Sequence, residues 1–140
     1  MAANPSCLFC QIAEHANYVV FEDRISIAFL DHRPLFIGHT LLIPKAHYET
    51  LADLPAELVG PFFTNVQALG RAVEKAMDAE GTFVAINNRV SQSVPHLHVH
   101  VVPRRKKDGL RGFFWPRQAH PDEKAMQAAQ KAIREAMLPT

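Results

Sequence analysis

The sequence predicts an α+β domain: an antiparallel sheet of five short strands, a long helix between the third and fourth strands, and a C-terminal helix. Three observations carry this prediction. Short segments rich in β-branched and aromatic residues follow one another closely. One long stretch has apolar residues at every third or fourth position, and a second, alanine-rich stretch follows after residue 120. Strands in runs, separated from helices, are typical of the α+β class.

The first half of the chain supplies three strands and the long helix. "YVVFED" at 18–23 and "SIAFLD" at 26–31 predict a tight antiparallel pair, and "GHTLLIPK" at 38–45 predicts a third strand. The helix is predicted over 55–80 because its apolar residues share one face. These residues are Leu58, Phe62, Val66, Leu69, Val73 and Met77.

The second half completes the sheet. "TFVAINN" at 82–88 and "PHLHVHVVP" at 95–103 predict two more strands, joined by a short polar loop. "PDEKAMQAAQKAIREAM" at 121–137 predicts the last helix, with proline at its start. A short helix is also expected near the N-terminus, ahead of the first strand.

Length and charge limit the function. The 140 residues, 48% of them hydrophobic, predict a single domain spanning 1–140. A formal charge of +1 argues against nucleic acid or an anionic membrane as the partner. The opening "MAANPSCLFC" is unlike a signal peptide, and no apolar run is long enough for a membrane span, so a cytoplasmic protein is expected. Cys7 and Cys10 are then expected as a thiol pair or metal ligands.

Three histidines at alternate positions, His96, His98 and His100, are the strongest chemical signal. Side chains alternate along a strand, so these rings share one face at roughly 6.6 Å spacing. The alternation turns the polar row outward while the residues between them face the core. These are Leu97, Val99 and Val101.

The row has three interpretations. A solvated strand face would use Thr, Lys, Glu or Ser as readily as His. Imidazoles two apart on a strand can chelate zinc or iron. A nucleophile instead needs a neutral imidazole, a hydrogen bond that fixes its tautomer, and donors around the developing charge. Crowding favours neutrality, because neighbouring imidazoles disfavour each other's protonation.

Several segments together resemble the histidine triad (HIT) family of nucleotide hydrolases and transferases. They are "CLFCQI", "FLD", "GHTLLIPKAH", "INN" and "QSVPHLHVHVVPR", which span about 7–105 and leave the helix at 121–137 as a C-terminal extension. The resemblance implies a homodimer, paired through the sheet and long helix, with a purine nucleotide or dinucleotide bound beside the triad. His98 is similar to the family nucleophile, which forms a covalent nucleotidyl-histidine.

The resemblance also assigns the neighbours of His98. His100 resembles the residue that binds the non-bridging phosphate oxygens, and His39 resembles a fourth histidine that supports the row. Ser93 matches a hydroxyl near the scissile oxygen, and Asn87 matches an amide that contacts phosphate. Gln92, which precedes Ser93, belongs to the same expected substrate-binding loop.

The nucleoside is expected on the other side of the triad. Asp31 resembles the carboxylate that accepts hydrogen bonds from both ribose hydroxyls, although a plain turn residue is the alternative. His32 stands where the family often has an apolar residue, so contacts to the base differ there. Three residues are expected to sandwich the base, or to be core residues of the short helix: Leu8, Phe9 and Ile12.

The cysteine pair gains two partners from the same resemblance. In a subset of the family, a similar pair joins a histidine after "IPK" and the first triad histidine in a structural zinc site. The matching residues are Cys7, Cys10, His47 and His96. A free thiol pair is the alternative. In either case the expected reaction requires no catalytic metal.

The expected function is cleavage of a phosphoanhydride or phosphoramidate bond at a nucleoside monophosphate group, in a dinucleoside polyphosphate or a nucleoside phosphoramidate. Between Asn87 and Gln92 the chain has only "NRVS", shorter than in many family members, which leaves the size of the leaving group open. The "PR" after the triad favours the branch of the family that acts on dinucleoside polyphosphates. Two other interpretations remain: a noncatalytic nucleotide-binding adaptor, and a metal-dependent hydrolase with the histidine row as ligands.

Overall fold

A computed structural model describes residues 3–15, 17–111 and 117–137. Its internal contacts separate two units, residues 1–108 and residues 109–140. The first unit contains, in chain order, α1 (Leu8–His15), β1 (Val19–Glu22), β2 (Ser26–Leu30), β3 (Thr40–Pro44), a 3₁₀ helix (Leu51–Asp53), α2 (Ala56–Ala76), β4 (Gly81–Ala85) and β5 (Val99–Arg104). The second contains α3 (Glu123–Met137).

The five strands form one sheet in the order β1-β2-β3-β5-β4, and all neighbouring strands are antiparallel. The predicted α+β class is therefore confirmed. β3 lies at the centre, where Leu41 pairs with His100 of β5. This register places the end of the histidine row beside the start of β3, which directly follows His39.

The sheet has apolar residues on both faces because its central strands alternate between two clusters. One cluster joins the sheet to α2, and its buried members include Ala28, Leu42, Val99, Val101, Phe62, Val66, Leu69 and Val73. The other joins the opposite face to α1, and its members are Cys7, Phe9, Cys10, Ile27, Phe29, Leu41 and Ile43. Burial of the large α2 side chain Phe62, only 1% exposed, contributes about 2 kcal/mol to folding.

The prediction that the histidine row faces outward was wrong. His96 is 0% exposed and His98 is 3% exposed, because α1 lies over this face of the sheet. The apolar residues between the histidines do face the core, as predicted, with Leu97, Val99 and Val101 all at 0% exposure.

The triad strand also begins later than predicted, at Val99 rather than Pro95. Its pairing with β3 begins with Val99 opposite Leu42, and backbone groups before Val99 bond elsewhere. The Leu97 N–H donates to the Tyr48 carbonyl at 2.6 Å, and the His96 carbonyl accepts from a ring nitrogen. β4 likewise ends at Ala85, ahead of the predicted residue 88.

The second unit contains the predicted C-terminal helix. The Asp122 side chain accepts from the Ala125 N–H at 2.7 Å, which satisfies one of the free donors of the first turn of α3. The aromatic segment "GFFWP" at 112–116 lies outside the described residues. No described helix has both the length and the apolarity needed to cross a membrane.

Candidate active site

His98 is held in one tautomer by the backbone. Its Nδ1 lies 2.8 Å from the His96 carbonyl oxygen, which can only accept, so Nδ1 carries the proton. Nε2 of the neutral ring is left with a free lone pair. Burial lowers the pKa of His98, against the opposing effects of that hydrogen bond and of Asp31. The ring is therefore a neutral imidazole near pH 7, as a nucleophile requires.

His100 and His39 form a pair beside His98. The ring centroids of His98 and His100 are 5.0 Å apart, and Nε2 of His39 lies 3.0 Å from Nδ1 of His100. Burial lowers the pKa of His100 to about 4, with further lowering by His98 and His39 and an opposing effect of Asp31. The structure thus places His39, the expected fourth histidine, next to the triad.

Asp31 connects this group to the surface. Its Oδ1 accepts from the Arg33 N–H at 2.9 Å, so the residue does stabilise a turn. Its Oδ2 lies 3.5 Å from Nε2 of His39. The carboxylate keeps partial exposure, 14% of the side chain, whereas the neighbouring His32 side chain is 85% exposed. Both the turn role and a ribose contact are compatible with this geometry.

Phe9 forms one wall of the site. Its ring meets His98 edge to face with centroids 4.9 Å apart, and it meets Phe29 at 5.8 Å. At 6% exposure Phe9 is a core residue, whereas Leu8, which precedes it in α1, is 50% exposed. Ile12 is partly buried against the same cluster. Of the three residues expected at the base, Leu8 is therefore the most accessible.

The loop between β4 and the triad is bound to its surroundings through side-chain amides. Oε1 of Gln92 accepts from the Arg89 N–H at 2.8 Å, and its Nε2 donates to the Glu49 carbonyl at 2.6 Å. Gln92, expected to contact substrate, thus uses both ends of its amide within the protein. Asn87 and Ser93, the other two expected contacts of this loop, are exposed.

The loop is also strained. Arg89 has φ 69° and Ser91 has φ 61°, both in the left-handed region that favours glycine. Ser93 lines an open pocket of about 400 Å³ together with Leu8, His47 and Glu49. Cys7 also lines this pocket. The pocket therefore gives access both to Ser93, which is expected near the leaving group, and to the expected metal ligands Cys7 and His47.

Four potential metal ligands converge near the triad. Nδ1 of His96 lies 3.4 Å from Sγ of Cys7 and 3.5 Å from Sγ of Cys10, and Nδ1 of His47 lies 3.3 Å from Sγ of Cys10. Tetrahedral zinc with ordinary bond lengths holds nitrogen and sulfur ligands about 3.5 Å apart. All four ligand atoms lie within 4.8 Å of one another.

The hydrogen bonds of His96 also fit a metal site. Its Nε2 lies 2.7 Å from the Pro44 carbonyl oxygen, so Nε2 carries the proton and the Nδ1 lone pair faces the two sulfur atoms. The resemblance implies a backbone carbonyl at the second ring nitrogen of His98, which in the structure is that of His96. Two further groups had no sequence signal: the Pro44 carbonyl and the Leu35 N–H, which donates to His39. Each is a backbone group and is independent of residue type.

A sheet of this order with this histidine group defines a protein of the histidine triad class. The HIT domain family profile matches residues 13–107. Adenosine 5'-monophosphoramidase HNT1 of Saccharomyces cerevisiae is 37% identical over 118 residues, covering 81% of this chain and 72% of that protein. Adenylylsulfatase HINT3 of Arabidopsis thaliana is 34% identical over 108 residues, covering 74% of this chain and 55% of that protein.

A zinc-bound protein is among the similar solved structures. A zinc-bound histidine triad family protein from Mycobacterium smegmatis is 36% identical, with a TM-score of 0.70 over 94% of this chain and 97% of that one. The chain belongs to the HIT family. Relatives named as hydrolases of nucleotides make a nucleotide hydrolase the general class that the comparisons support.

Proposed function

We propose that the protein cleaves a phosphoanhydride or phosphoramidate bond at a nucleoside monophosphate group through a covalent intermediate on His98. The observation that carries this proposal is the 2.8 Å hydrogen bond from His98 Nδ1 to the His96 carbonyl, which leaves Nε2 unprotonated in a ring that burial keeps neutral. Mere binding of a nucleotide requires no such arrangement, since a phosphate oxygen is bound by a proton donor rather than by a lone pair.

The reaction proceeds in two displacements. Nε2 of His98 attacks the α-phosphorus, the bond to the leaving oxygen or nitrogen breaks, and its electron pair leaves with that atom, which takes up a proton from solvent. Water then attacks phosphorus and gives up one proton to solvent, the N–P bond breaks, and its electron pair returns to Nε2, which restores the neutral ring. An acceptor other than water makes the same protein a nucleotidyltransferase. Charge stabilisation and positioning supply most of the acceleration in phosphoryl transfer of this kind.

The remaining residues bind and orient the substrate. His100, supported by His39, holds the non-bridging oxygens, and the exposed Ser93 hydroxyl donates to the leaving atom. Asn87 contacts phosphate. Asp31 holds the ribose with Oδ2, which the turn at Arg33 does not use and which also lies 3.5 Å from Nε2 of His39, and this assignment is supported by the partial exposure of that side chain.

A purine nucleotide or dinucleotide is the proposed substrate, with Leu8 and Ile12 at the base and Phe9 behind His98. His32 lies at the exposed edge of the ribose site. The family often has an apolar residue at this position, so the contacts of His32 to the base differ from the usual ones. The phosphoramidase and adenylylsulfatase relatives make adenosine phosphoramidate and adenylyl sulfate the first compounds to test, beside a diadenosine polyphosphate.

A structural zinc ion is the proposed occupant of the four-ligand cluster. Bound there by Cys7, Cys10, His47 and His96, it would tie the start of α1 to the segment that carries His98, and it would supply no group to the reaction. The proposal requires no catalytic metal. The zinc-bound relative supports this assignment, as do the ligand separations and the tautomer of His96.

The positions of the histidines also argue against the alternative of a metal-dependent hydrolase. Among the described residues, the groupings able to hold a metal place His96 with the cysteines and His100 with Asp31 and His39, while His98 belongs to neither. The imidazoles of the row therefore do not converge on one point. This arrangement favours separate roles for the three histidines over a shared metal.

A comparison of wild type with His98→Gln tests the proposal. Turnover of the three compounds is measured by chromatography, and bound zinc is measured by mass spectrometry of the metal. We expect at least about a thousandfold loss of turnover, because glutamine cannot act as the nucleophile, with zinc content unchanged. Loss of zinc together with activity would favour the metal-dependent hydrolase, and no turnover by wild type would favour the adaptor.

Pairing of two chains through the sheet and the long helix belongs to the same proposal. β4 is an edge strand, and its Val84 is 45% exposed. A groove between β4 and α2 has Phe63, Thr82 and Val84 among its lining residues. Apolar side chains beside an edge strand are suited to pairing with a second copy. Light scattering is expected to give the mass of a dimer, and a Val84→Lys chain that of a monomer.

A further inference from the structure

His39 is held between two groups that both specify where its proton lies. The Leu35 N–H donates to Nδ1 of His39 at 3.0 Å. A backbone amide donates and cannot accept, so Nδ1 must carry the lone pair. In a neutral imidazole the proton is then on Nε2.

The carboxylate of Asp31 acts in the same direction from the other side of the ring. Its Oδ2 lies 3.5 Å from Nε2 of His39, where a negative charge favours an N–H over a lone pair. His39 is 3% exposed, and burial lowers its pKa, against the opposing charge of Asp31. A buried neutral ring with both nitrogens so constrained has one favourable tautomer.

This direction is passed on to His100. Nε2 of His39 lies 3.0 Å from Nδ1 of His100, so a protonated Nε2 donates and Nδ1 of His100 accepts. The proton of neutral His100 is therefore on its own Nε2. His98, whose Nδ1 donates to the His96 carbonyl, has the opposite polarity. Adjacent rings thus present a lone pair, on His98, and an N–H, on His100.

We propose that the backbone N–H of Leu35 is a positioning group, which orients the proton of His39 and thereby makes His100 a hydrogen-bond donor to the substrate phosphate. The inference rests on the function proposed above. Phosphate oxygens accept hydrogen bonds, so an Nε2 lone pair on His100 would repel them, whereas an N–H binds them. The loop from Asp31 to His39 is thus part of the catalytic arrangement, although its Leu35 side chain is 52% exposed.

The loop is built to hold this N–H in place. Its ends are joined by the Asp31 N–H, which donates to the His39 carbonyl at 2.9 Å, and its interior by the His39 N–H, which donates to the Phe36 carbonyl at 3.0 Å. Gly38 has φ 96° and leaves no room for a side chain, since a Cβ there would lie 2.6 Å from Cγ of Met77. The position of Leu35 N–H therefore follows from the backbone.

The same polarity argues against a metal bound by Asp31, His39 and His100, although their ligand atoms lie close together. A metal at Nε2 of His39 would require the lone pair there. The proton would then be on Nδ1 and would oppose the Leu35 N–H, leaving two donors facing each other.

The experiment replaces Leu35 by its α-hydroxy acid, which turns one amide into an ester and puts an oxygen that cannot donate in place of the N–H. Leu35→Ala is the matched control, because it keeps the N–H and removes the side chain. Long-range proton–nitrogen NMR spectra assign the histidine tautomers in the zinc-loaded proteins, and turnover of adenosine phosphoramidate is measured alongside. The tautomers are read without substrate, so they test the inference even if the protein turns over no nucleotide.

In wild type and Leu35→Ala, we expect Nε2–H tautomers for His39 and His100 and an Nδ1–H tautomer for His98. The ester is expected to show a mixture at His39 and His100, with His98 unchanged and turnover lower by roughly tenfold, the factor that corresponds to one hydrogen bond. An Nδ1–H tautomer of His39 or His100 in wild type would overturn the inference. So would an ester with wild-type tautomers. Should the ester not fold, the wild-type spectrum still decides.

Discussion

Because the pKa values of several histidines are lowered in the folded protein, we expect it to lose stability in mild acid, and the pKa shift of His100 gives the magnitude of that loss. Its pKa falls from the ordinary 6.5 to about 4 in the folded protein. Between these values the unfolded chain binds more protons, so the free energy of unfolding decreases as pH is lowered. At pH 5 the difference costs about 2 kcal/mol for this residue alone, and about 3 kcal/mol in full below pH 4. His39 and His98, whose pKa values are also lowered, act in the same direction.

Urea denaturation at pH 7.5, 6.5, 5.5 and 5.0 measures this effect. The carboxyl groups with lowered pKa, Asp23 and Asp53, titrate mainly below the window, because their ordinary value is 3.8. His100→Gln is expected to be less sensitive to pH by about 2 kcal/mol between 7.5 and 5.0. His15→Gln, in an 85% exposed side chain, is the control and should follow wild type. Equal slopes for wild type and His100→Gln would refute the reasoning.

Three further variants test the metal site and the two loops, and a fourth, Gly60→Ala, is a control. Cys10→Ser is expected to lose bound zinc and at least about 3 kcal/mol of stability, as metal analysis and denaturation would show; full zinc content would contradict the proposed site. Gly38→Ala should lose about 2 kcal/mol of stability in denaturation, because Gly38 has a positive φ and an added Cβ would collide with Met77. Gly60→Ala in α2 has open space around it and should gain up to about 1 kcal/mol of stability. Gln92→Met should raise KM with little change in zinc content, since it frees the loop bonded to Arg89 and Glu49; wild-type KM would argue against that role.

Apolar periodicity predicted the main elements because burial determines them. The helix predicted over 55–80 is found at Ala56–Ala76, and the strand predicted over 26–31 is found at Ser26–Leu30. Both have residues on a face that must be buried, which ties the sequence pattern directly to the fold. The ends are less well determined, since they depend on which backbone partners are available.

The histidine row shows where the pattern alone falls short. Alternation correctly predicted that Leu97 and Val99 face the core, but it gave no information about the opposite face. That face is covered by α1, a short helix far away in sequence. A polar row beneath a helix has the same local sequence as a polar row in solvent, and tertiary contacts such as those of Phe9 with His96 and His98 distinguish the two.

The candidate sites depended on the family resemblance to different degrees. "CLFC" alone indicates a thiol pair or two metal ligands, and the resemblance added His47 and His96, which the structure brings next to both cysteines. The resemblance implied a backbone carbonyl at the second ring nitrogen of His98, but hydrogen-bond direction at His39 and His96 lay beyond either kind of inference. It is set by carbonyl groups and by the Leu35 N–H, whose positions follow from loop conformation.

The central claim is that Nε2 of His98 becomes bonded to phosphorus during turnover. Rapid acid-free quenching with adenosine phosphoramidate, followed by intact-mass and peptide mass spectrometry, tests it directly. The account predicts one added nucleoside monophosphate group on the peptide that contains His98, formed at least as fast as turnover and missing from His98→Gln. Steady turnover without that adduct, or a His98→Gln protein that works at the wild-type rate, would contradict it.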